Sequence, residues 1–190
     1  MKRITKVLQR SVRLYSTLNK VNIQTLTGEA KATISKLGPG ANLNIFQYMI
    51  NSPPAVEAYT SISACLKKTT LAPKEIEVMQ LRIGELNGCE YCQAAHTHVG
   101  KNSGLTEEQT IEARKGKMED PKLNALVEFV TAVHETKGKV NADAIEKFKS
   151  AGYTDANIVD VCLNFSIAIL TNYFNNINQT PVDLPPAKPL

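Results

Sequence analysis

The sequence predicts an all-α fold, a compact multi-helix single domain, and three observations carry that expectation. Apolar residues recur at three- and four-residue intervals almost throughout, the repeat of a helix that buries one face. Start and stop residues divide that repeat into segments of helix length. No two neighbouring runs alternate apolar and polar residues as a strand pair would. At 190 residues, the chain is long enough to bury a core without disulfides or metal ions.

Residues 1–25 form a basic leader. On a helix Ile4, Val7, Leu8, Val12, Tyr15 and Leu18 share one side and the basic residues the other. An amphipathic, acid-free leader containing Arg and Ser matches a mitochondrial transit peptide, with Arg13-Leu14-Tyr15-Ser16 near the cleavage region. The alternative is a basic surface helix or an unstructured arm on a cytoplasmic protein. Charges interrupt the apolar residues, so the leader is neither a secretory signal nor a membrane span.

Residues 26–183 carry the helical domain. A weak helix near 28–37 meets the breaker Gly38-Pro39-Gly40. The apolar run Ile45–Ile50 follows, and Ser52-Pro53-Pro54 opens a helix reaching about Lys68, proline being tolerated in a first turn. Pro73 opens the next, which Asn87-Gly88 ends, glycine being common just past a helix end. A helix from about Cys89 to Gly100 comes next. Thr106-Glu107-Glu108-Gln109 has the form of a capping box for a short helix to about Lys115.

Asp120-Pro121 starts another helix, with Leu123, Leu126, Val127, Val130 and Val133 as its apolar stripe. Asn141 caps a helix closed by Gly152. Thr154 caps the last and longest, with Tyr153 placed to staple against Ile158. That helix is apolar on nearly all sides, which predicts a central position or a subunit contact. Asn164 and Ser166 interrupt it, and it reads as too short to span a bilayer. The Pro-rich tail, residues 184–190, should be irregular.

The formal net charge of +4 belongs to the leader. Residues 1–20 hold six of the 22 cations and none of the 18 acids, so the remainder carries a net −2. That body shows no nucleic-acid footprint. Four cysteines in a chain of this size do not make a disulfide scaffold. Cys65 and Cys162 lie in apolar surroundings and read as buried small hydrophobes.

Cys89 and Cys92 differ, because they open the run Cys89-x-x-Cys92-x-x-x-His96. Spacings of three and then four residues put all three side chains on one helix face. In a first turn, unpaired N–H groups and the helix dipole favour a thiolate. A three-residue separation also allows the short Cα distance of a disulfide. His96 follows Cys92 by one turn and is better placed to exchange a proton with it, which makes Cys92 the attacking thiol and Cys89 the resolving one.

Glu77 shares a stripe with Leu81 and Gly84, whereas Glu85 has Arg82 one turn away and Glu75 has Lys74 beside it. An inward carboxylate needs a hydrogen-bond partner or shifts its pKa. If the helices flanking Asn87-Gly88 fold back as a hairpin, Glu77 approaches the cysteine helix, and a proton relay through Glu77 and His96, by way of water, follows.

Three other readings of the run fit it less well. A zinc site would use two cysteines and two histidines, but His96 and His98, two apart on a helix, point to roughly opposite sides. His134 is the remaining histidine and no second cysteine pair exists. A thioredoxin-type motif would follow a strand, and none precedes Cys89. An inert surface thiol pair leaves the Glu-Cys-Cys-His spacing without a reason.

Glu77, Leu86-Asn87-Gly88-Cys89-Glu90-Tyr91-Cys92 and Ala95-His96-Thr97-His98 together resemble the carboxymuconolactone decarboxylase superfamily, in its alkyl hydroperoxidase D-like branch. Weaker similarity extends to Thr171-Asn172-Tyr173-Phe174-Asn175-Asn176, so the resemblance spans roughly Asn44 to Asp183. It implies an all-helical fold in homo-oligomers, often trimers or multiples of them. It also implies a thiol peroxidase or disulfide reductase with Cys92 attacking, Cys89 resolving, and Glu77 and His96 relaying protons.

Tyr91 stands where some members have a histidine, and tyrosine does not titrate near neutral pH. The decarboxylases of the superfamily lack the cysteine pair, so lactone decarboxylation is not expected. The expected substrates are a hydroperoxide and a thiol or dithiol reductant, lipoyl or thioredoxin-like, with no organic cofactor and no metal. Two alternatives are a thiol–disulfide reductase of a protein partner and a non-enzymatic helical oligomer with a structural metal.

Overall fold

Caps and breakers place the helices close to where the sequence reading put them. The computed structural model describes residues 16–190, so most of the basic leader over 1–25 lies outside the described residues. The α-helices are α1 (Gly28–Ser35), α2 (Asn44–Met49), α3 (Pro53–Leu66), α4 (Pro73–Leu86), α5 (Glu90–Asn102), α6 (Glu107–Lys115), α7 (Pro121–Thr136), α8 (Ala142–Ser150) and α9 (Asp155–Asn178). No strand occurs among the described residues. The Gly38-Pro39-Gly40 breaker begins a short 3₁₀ segment, Gly38–Asn42, between α1 and α2.

The capping residues act as read. Thr106 Oγ1 accepts from the Gln109 backbone N–H while the Gln109 side chain accepts from the Thr106 N–H. Thr154 and Asn157 repeat this arrangement at the start of α9. The Asp120 carboxylate takes the N–H groups of Lys122 and Leu123, and Asn141 takes that of Ala144. Each such cap satisfies donors that have no partner inside the helix.

The centre of the fold is α4, not α9. Glu75, Glu77, Val78, Met79, Gln80, Leu81, Ile83 and Gly84 of α4 are all buried, with α5, α6, α7 and α9 packed around them. One apolar cluster joins α4 to α6–α9, and within it the rings of Phe129, Phe148 and Tyr153 stack at 4.3 Å centroid spacings. A second gathers Ile34, Ile45, Phe46, Met49 and Val56 from the first three helices around Cys89, Tyr91 and Cys92.

The longest helix is more exposed than its composition suggested. Val159, Tyr173 and Ile177 on α9 are exposed. Its inward side instead carries Asn157, Val161, Asn164, Ala168, Asn172, Asn175 and Asn178. Counting apolar residues around the helix overlooked that asparagines line the buried face. At 24 residues α9 is also long and apolar enough to cross a membrane by length and composition, which corrects the reading that it is too short. Asparagine contacts tie its last turns to the protein: Asn172 and Asn175 donate to Cys92 Sγ, and Asn176 donates to the Asn87 carbonyl.

Cys65 and Cys162 are exposed, which corrects their reading as buried. Each neighbours a buried residue, Leu66 and Val161, and one residue of helical rotation, about 100°, turns the thiol outward.

Glu75 and Glu85 also choose partners other than the neighbours expected. Arg114 Nε, from α6, meets Glu85 at 2.8 Å, while Arg82 turns to Thr131 and the Arg114 carbonyl. Glu75 is buried, accepting from the Ala72 N–H at 2.7 Å, from the Tyr153 hydroxyl at 3.0 Å, and pairing with Lys122 at 3.0 Å. Burial pushes this carboxyl up, but the Ala72, Lys122 and Tyr153 donors outweigh it and hold the group below its ordinary 4.5.

A carboxyl lowered on folding contributes stability that is fully present above that value and lost as pH falls through the folded one. Glu75→Gln is therefore expected to cost about 1–3 kcal/mol near neutral pH. In denaturant titrations at successively lower pH, the gap between variant and parent should close below about pH 4.5.

Candidate active site

The Asn87-Gly88 turn fixes the first sulfur. Gly88 takes the left-handed conformation, φ +61°. Its N–H bonds the Glu85 carbonyl, and the Cys89 N–H bonds the Gly84 carbonyl, the paired closure of a Schellman-type helix end. Cys89 thus belongs to both helices, closing α4 and standing as the N-cap of α5, with its Sγ accepting from the Cys92 N–H at 3.2 Å. It stands one residue before the first turn in which the sequence alone predicts it.

The turn folds α5 back along α4, and two glycines let the helices close. A Cβ on Gly84 would lie 3.4 Å from Cys92 Cβ, and one on Gly100 would lie 3.6 Å from Glu77 Cβ. Two α4 positions one below the other thereby face the two working ends of α5, and this explains why Glu77 and Gly84 share a stripe.

Cys89 and Cys92 are joined as a disulfide, with Cα atoms 5.3 Å apart. Both are buried, at 0% and 2% exposure. Glu77 Oε2 and His96 Nδ1 are 2.8 Å apart, with side chains 11% and 23% exposed, so solvent reaches the set from this side. Among the described residues no hydrogen bond links His96 to either sulfur, so a direct proton exchange with Cys92 is not formed in this state. Burial pushes the nearby Tyr59 hydroxyl up to about 12, with the Glu77 carboxylate adding to the effect.

The groups that do touch Cys92 Sγ are amides from α9. Asn172 Nδ2 donates at 3.0 Å and Asn175 Nδ2 at 3.5 Å. Both lie in the stretch that carries the weaker family similarity, with no role expected of them from the sequence. A signal was present, since asparagine is a poor residue for a helix interior and α9 carries it repeatedly on one face.

Tyr91, between the cysteines, donates from its hydroxyl to Asp183 Oδ1 at 2.8 Å, and Asp183 Oδ2 accepts from the Asn44 N–H at 2.7 Å. Burial and the Asp183 bond both push its pKa up, so Tyr91 stays a protonated donor. The C-terminal segment is thereby tied across the cysteine pair to the start of α2.

His98 is exposed and pairs with Asn102 on its own helix. His134 lies apart from His96 and meets Asn87 Oδ1 at 2.9 Å. Among the described residues no cluster of three or more His, Cys, Asp or Glu side chains could hold a metal ion.

Comparison with known proteins places this arrangement. Residues 53–135, which run from the start of α3 almost to the end of α7 and include the whole cysteine hairpin, match the carboxymuconolactone decarboxylase family. Alkyl hydroperoxide reductase AhpD of Mycobacteroides abscessus is 42% identical over 41 residues, 22% of this chain and 23% of its own length. The chain thus matches less than a quarter of that relative.

Among solved structures, an alkylhydroperoxidase AhpD core, an uncharacterized peroxidase-related protein from Ralstonia eutropha JMP134, superposes with a TM-score of 0.78 at 18% identity. That superposition covers 88% of this chain and 92% of the other. The debrominase Bmp8 with bound 2,3,4-tribromopyrrole shares the fold at a TM-score of 0.70 and 13% identity, covering 90% and 93%. At these identities the structures speak for the fold alone, and the fold hosts more than one chemistry. Residues 53–135 thus match the carboxymuconolactone decarboxylase family, and the all-helical fold that holds them is that of an alkylhydroperoxidase AhpD core.

Proposed function

We propose that the protein is a thiol-dependent peroxidase cycling Cys89 and Cys92 between dithiol and disulfide. The observation that carries this reading is the disulfide at an α5 N-terminus, flanked by a carboxylate–imidazole pair in hydrogen-bond contact. Cys92 thiolate attacks the terminal peroxide oxygen, the O–O bond breaks, and the alkoxide leaves with a proton as alcohol. Cys92 becomes a sulfenic acid. The Cys89 thiolate then attacks that sulfur, expelling water and closing the disulfide. An external dithiol reopens it and is itself oxidised to a disulfide. No metal or organic cofactor enters this balance.

His96, oriented by Glu77, delivers and removes protons through a water molecule on the solvent-facing side. The family resemblance implies a homo-oligomer, a trimer or a multiple of one, and the exposed Val159, Tyr173 and Ile177 on α9 are apolar side chains that such an assembly would cover. The leader supports delivery to the mitochondrion, which recovery of a mature chain beginning well after Met1 would bear out.

The test is peroxide consumption driven by dithiols of two kinds, a lipoyl dithiol and a thioredoxin-like protein. Catalytic turnover with either supports the reading. Without turnover, a mixed disulfide between a Cys89→Ser variant and a protein partner would instead establish a protein disulfide reductase.

A further inference from the structure

Donors divide unevenly between the two sulfurs. Cys89 Sγ holds the Cys92 backbone N–H at 3.2 Å, with Asn175 Nδ2 3.9 Å away. Cys92 Sγ receives Asn172 Nδ2 at 3.0 Å and Asn175 Nδ2 at 3.5 Å. Helix-end electrostatics alone favour the N-cap sulfur, Cys89, as the thiolate. Side-chain amides pull the other way.

Asn172 does not act alone. Its Oδ1 accepts from Asn87 Nδ2 at 3.0 Å, and Asn87 Oδ1 meets His134 Nε2 at 2.9 Å. The direction of this chain is forced from the sulfur end. A disulfide or thiolate sulfur accepts and cannot donate, so Asn172 must turn its NH₂ toward it. Its carbonyl then faces Asn87, which must supply NH₂ in turn. The Asn87 carbonyl faces His134, whose proton must sit on Nε2.

The surroundings keep the chain in place. Asn172 is 0% exposed, and Asn176 Nδ2 holds the Asn87 backbone carbonyl at 2.8 Å. His134 stands in the last turn of α7. Three helices, α4, α7 and α9, thus converge to aim one N–H at one sulfur.

We propose that the donor chain His134–Asn87–Asn172 makes Cys92, rather than the helix-capping Cys89, the thiolate of the reduced pair. Asn172 touches the reacting sulfur. Asn87 and His134 are positioning residues that act through it. The inference rests on Cys92 being the attacking thiol of the proposed cycle, but its test uses no peroxide.

The reduced full-length protein is labelled with limiting iodoacetamide across a pH series, and peptide fragmentation gives the ratio of label at Cys92 to label at Cys89. The parent should label mainly at Cys92. Asn172→Ala is expected to lower the ratio about tenfold, one charge-assisted hydrogen bond corresponding to roughly one pKa unit. Asn87→Asp should lower it as well, because its carboxylate accepts from the Asn172 NH₂ and turns the amide oxygen toward sulfur. General loosening of the site would expose both thiols together and leave the ratio in place.

A ratio within about twofold of the parent in both variants overturns the proposal. Should Asn172→Ala fail to fold, Asn87→Asp, at a partly buried side chain, decides alone. A shifted ratio in a protein without peroxide turnover would uphold the donor chain and remove the peroxidase reading.

Discussion

Cys92→Ser is expected to reduce peroxide turnover by at least about 10³-fold. A serine hydroxyl stays protonated near neutral pH and is a poor nucleophile toward the O–O bond, so the first step of the cycle has no attacking atom. Cys89→Ser should behave differently. It retains Cys92 and can reduce one peroxide per chain, but the sulfenic acid then has no partner in the same chain. Steady turnover falls while a single stoichiometric event survives, and rapid-mixing kinetics separate the two. Neither substitution should unfold the protein, since the cysteines close a loop of only a few residues and restrict the unfolded chain little.

The second large effect concerns Glu77 and His96. Their hydrogen bond, at 2.8 Å between Glu77 Oε2 and His96 Nδ1, fixes the ring and leaves Nε2 to handle the transferred proton. His96→Ala is expected to lower turnover by about 10²–10⁴-fold, the usual range for a positioned acid–base group. Glu77→Gln keeps a hydrogen-bonding side chain but removes the charge and the proton-accepting oxygen pair, so its effect should be smaller.

If the two form one relay, the double variant should be little worse than His96→Ala alone. Additive losses would instead mean that Glu77 acts on something other than His96. Tyr59, whose raised pKa the Glu77 charge supports, is then the group to examine.

How far the sequence carried this account depends on the kind of interaction. Local signals were legible because their cause lies within a few residues. Pro73, Asn87-Gly88, Thr106, Asp120, Asn141 and Thr154 set helix limits through backbone geometry and nearby donors. The placing of Glu77 inside, facing α5, followed from its helical phase with Leu81 and Gly84.

What crossed between distant elements was not legible. Glu75 has Lys74 beside it in sequence, yet Tyr153 from beyond α8 and Lys122 from α7 enclose it. Asn172 and Asn175 reach Cys92 across 80 and 83 residues of chain, and nothing local marks which buried amide faces a sulfur. Cys65 and Cys162 show the opposite error. Apolar neighbours suggested burial, but a single step of helical rotation sends both thiols outward.

The central claim is that Cys92 is the atom that attacks peroxide, and one measurement addresses it directly. A reduced Cys89→Ser protein is treated with one equivalent of an organic hydroperoxide in the presence of a sulfenic-acid trap, and the adduct is located by peptide mass spectrometry. The account predicts stoichiometric trap at Cys92, with Cys65 and Cys162 unmodified although both are more exposed. Trap confined to Cys65 or Cys162, or no adduct while peroxide is still consumed, would contradict it.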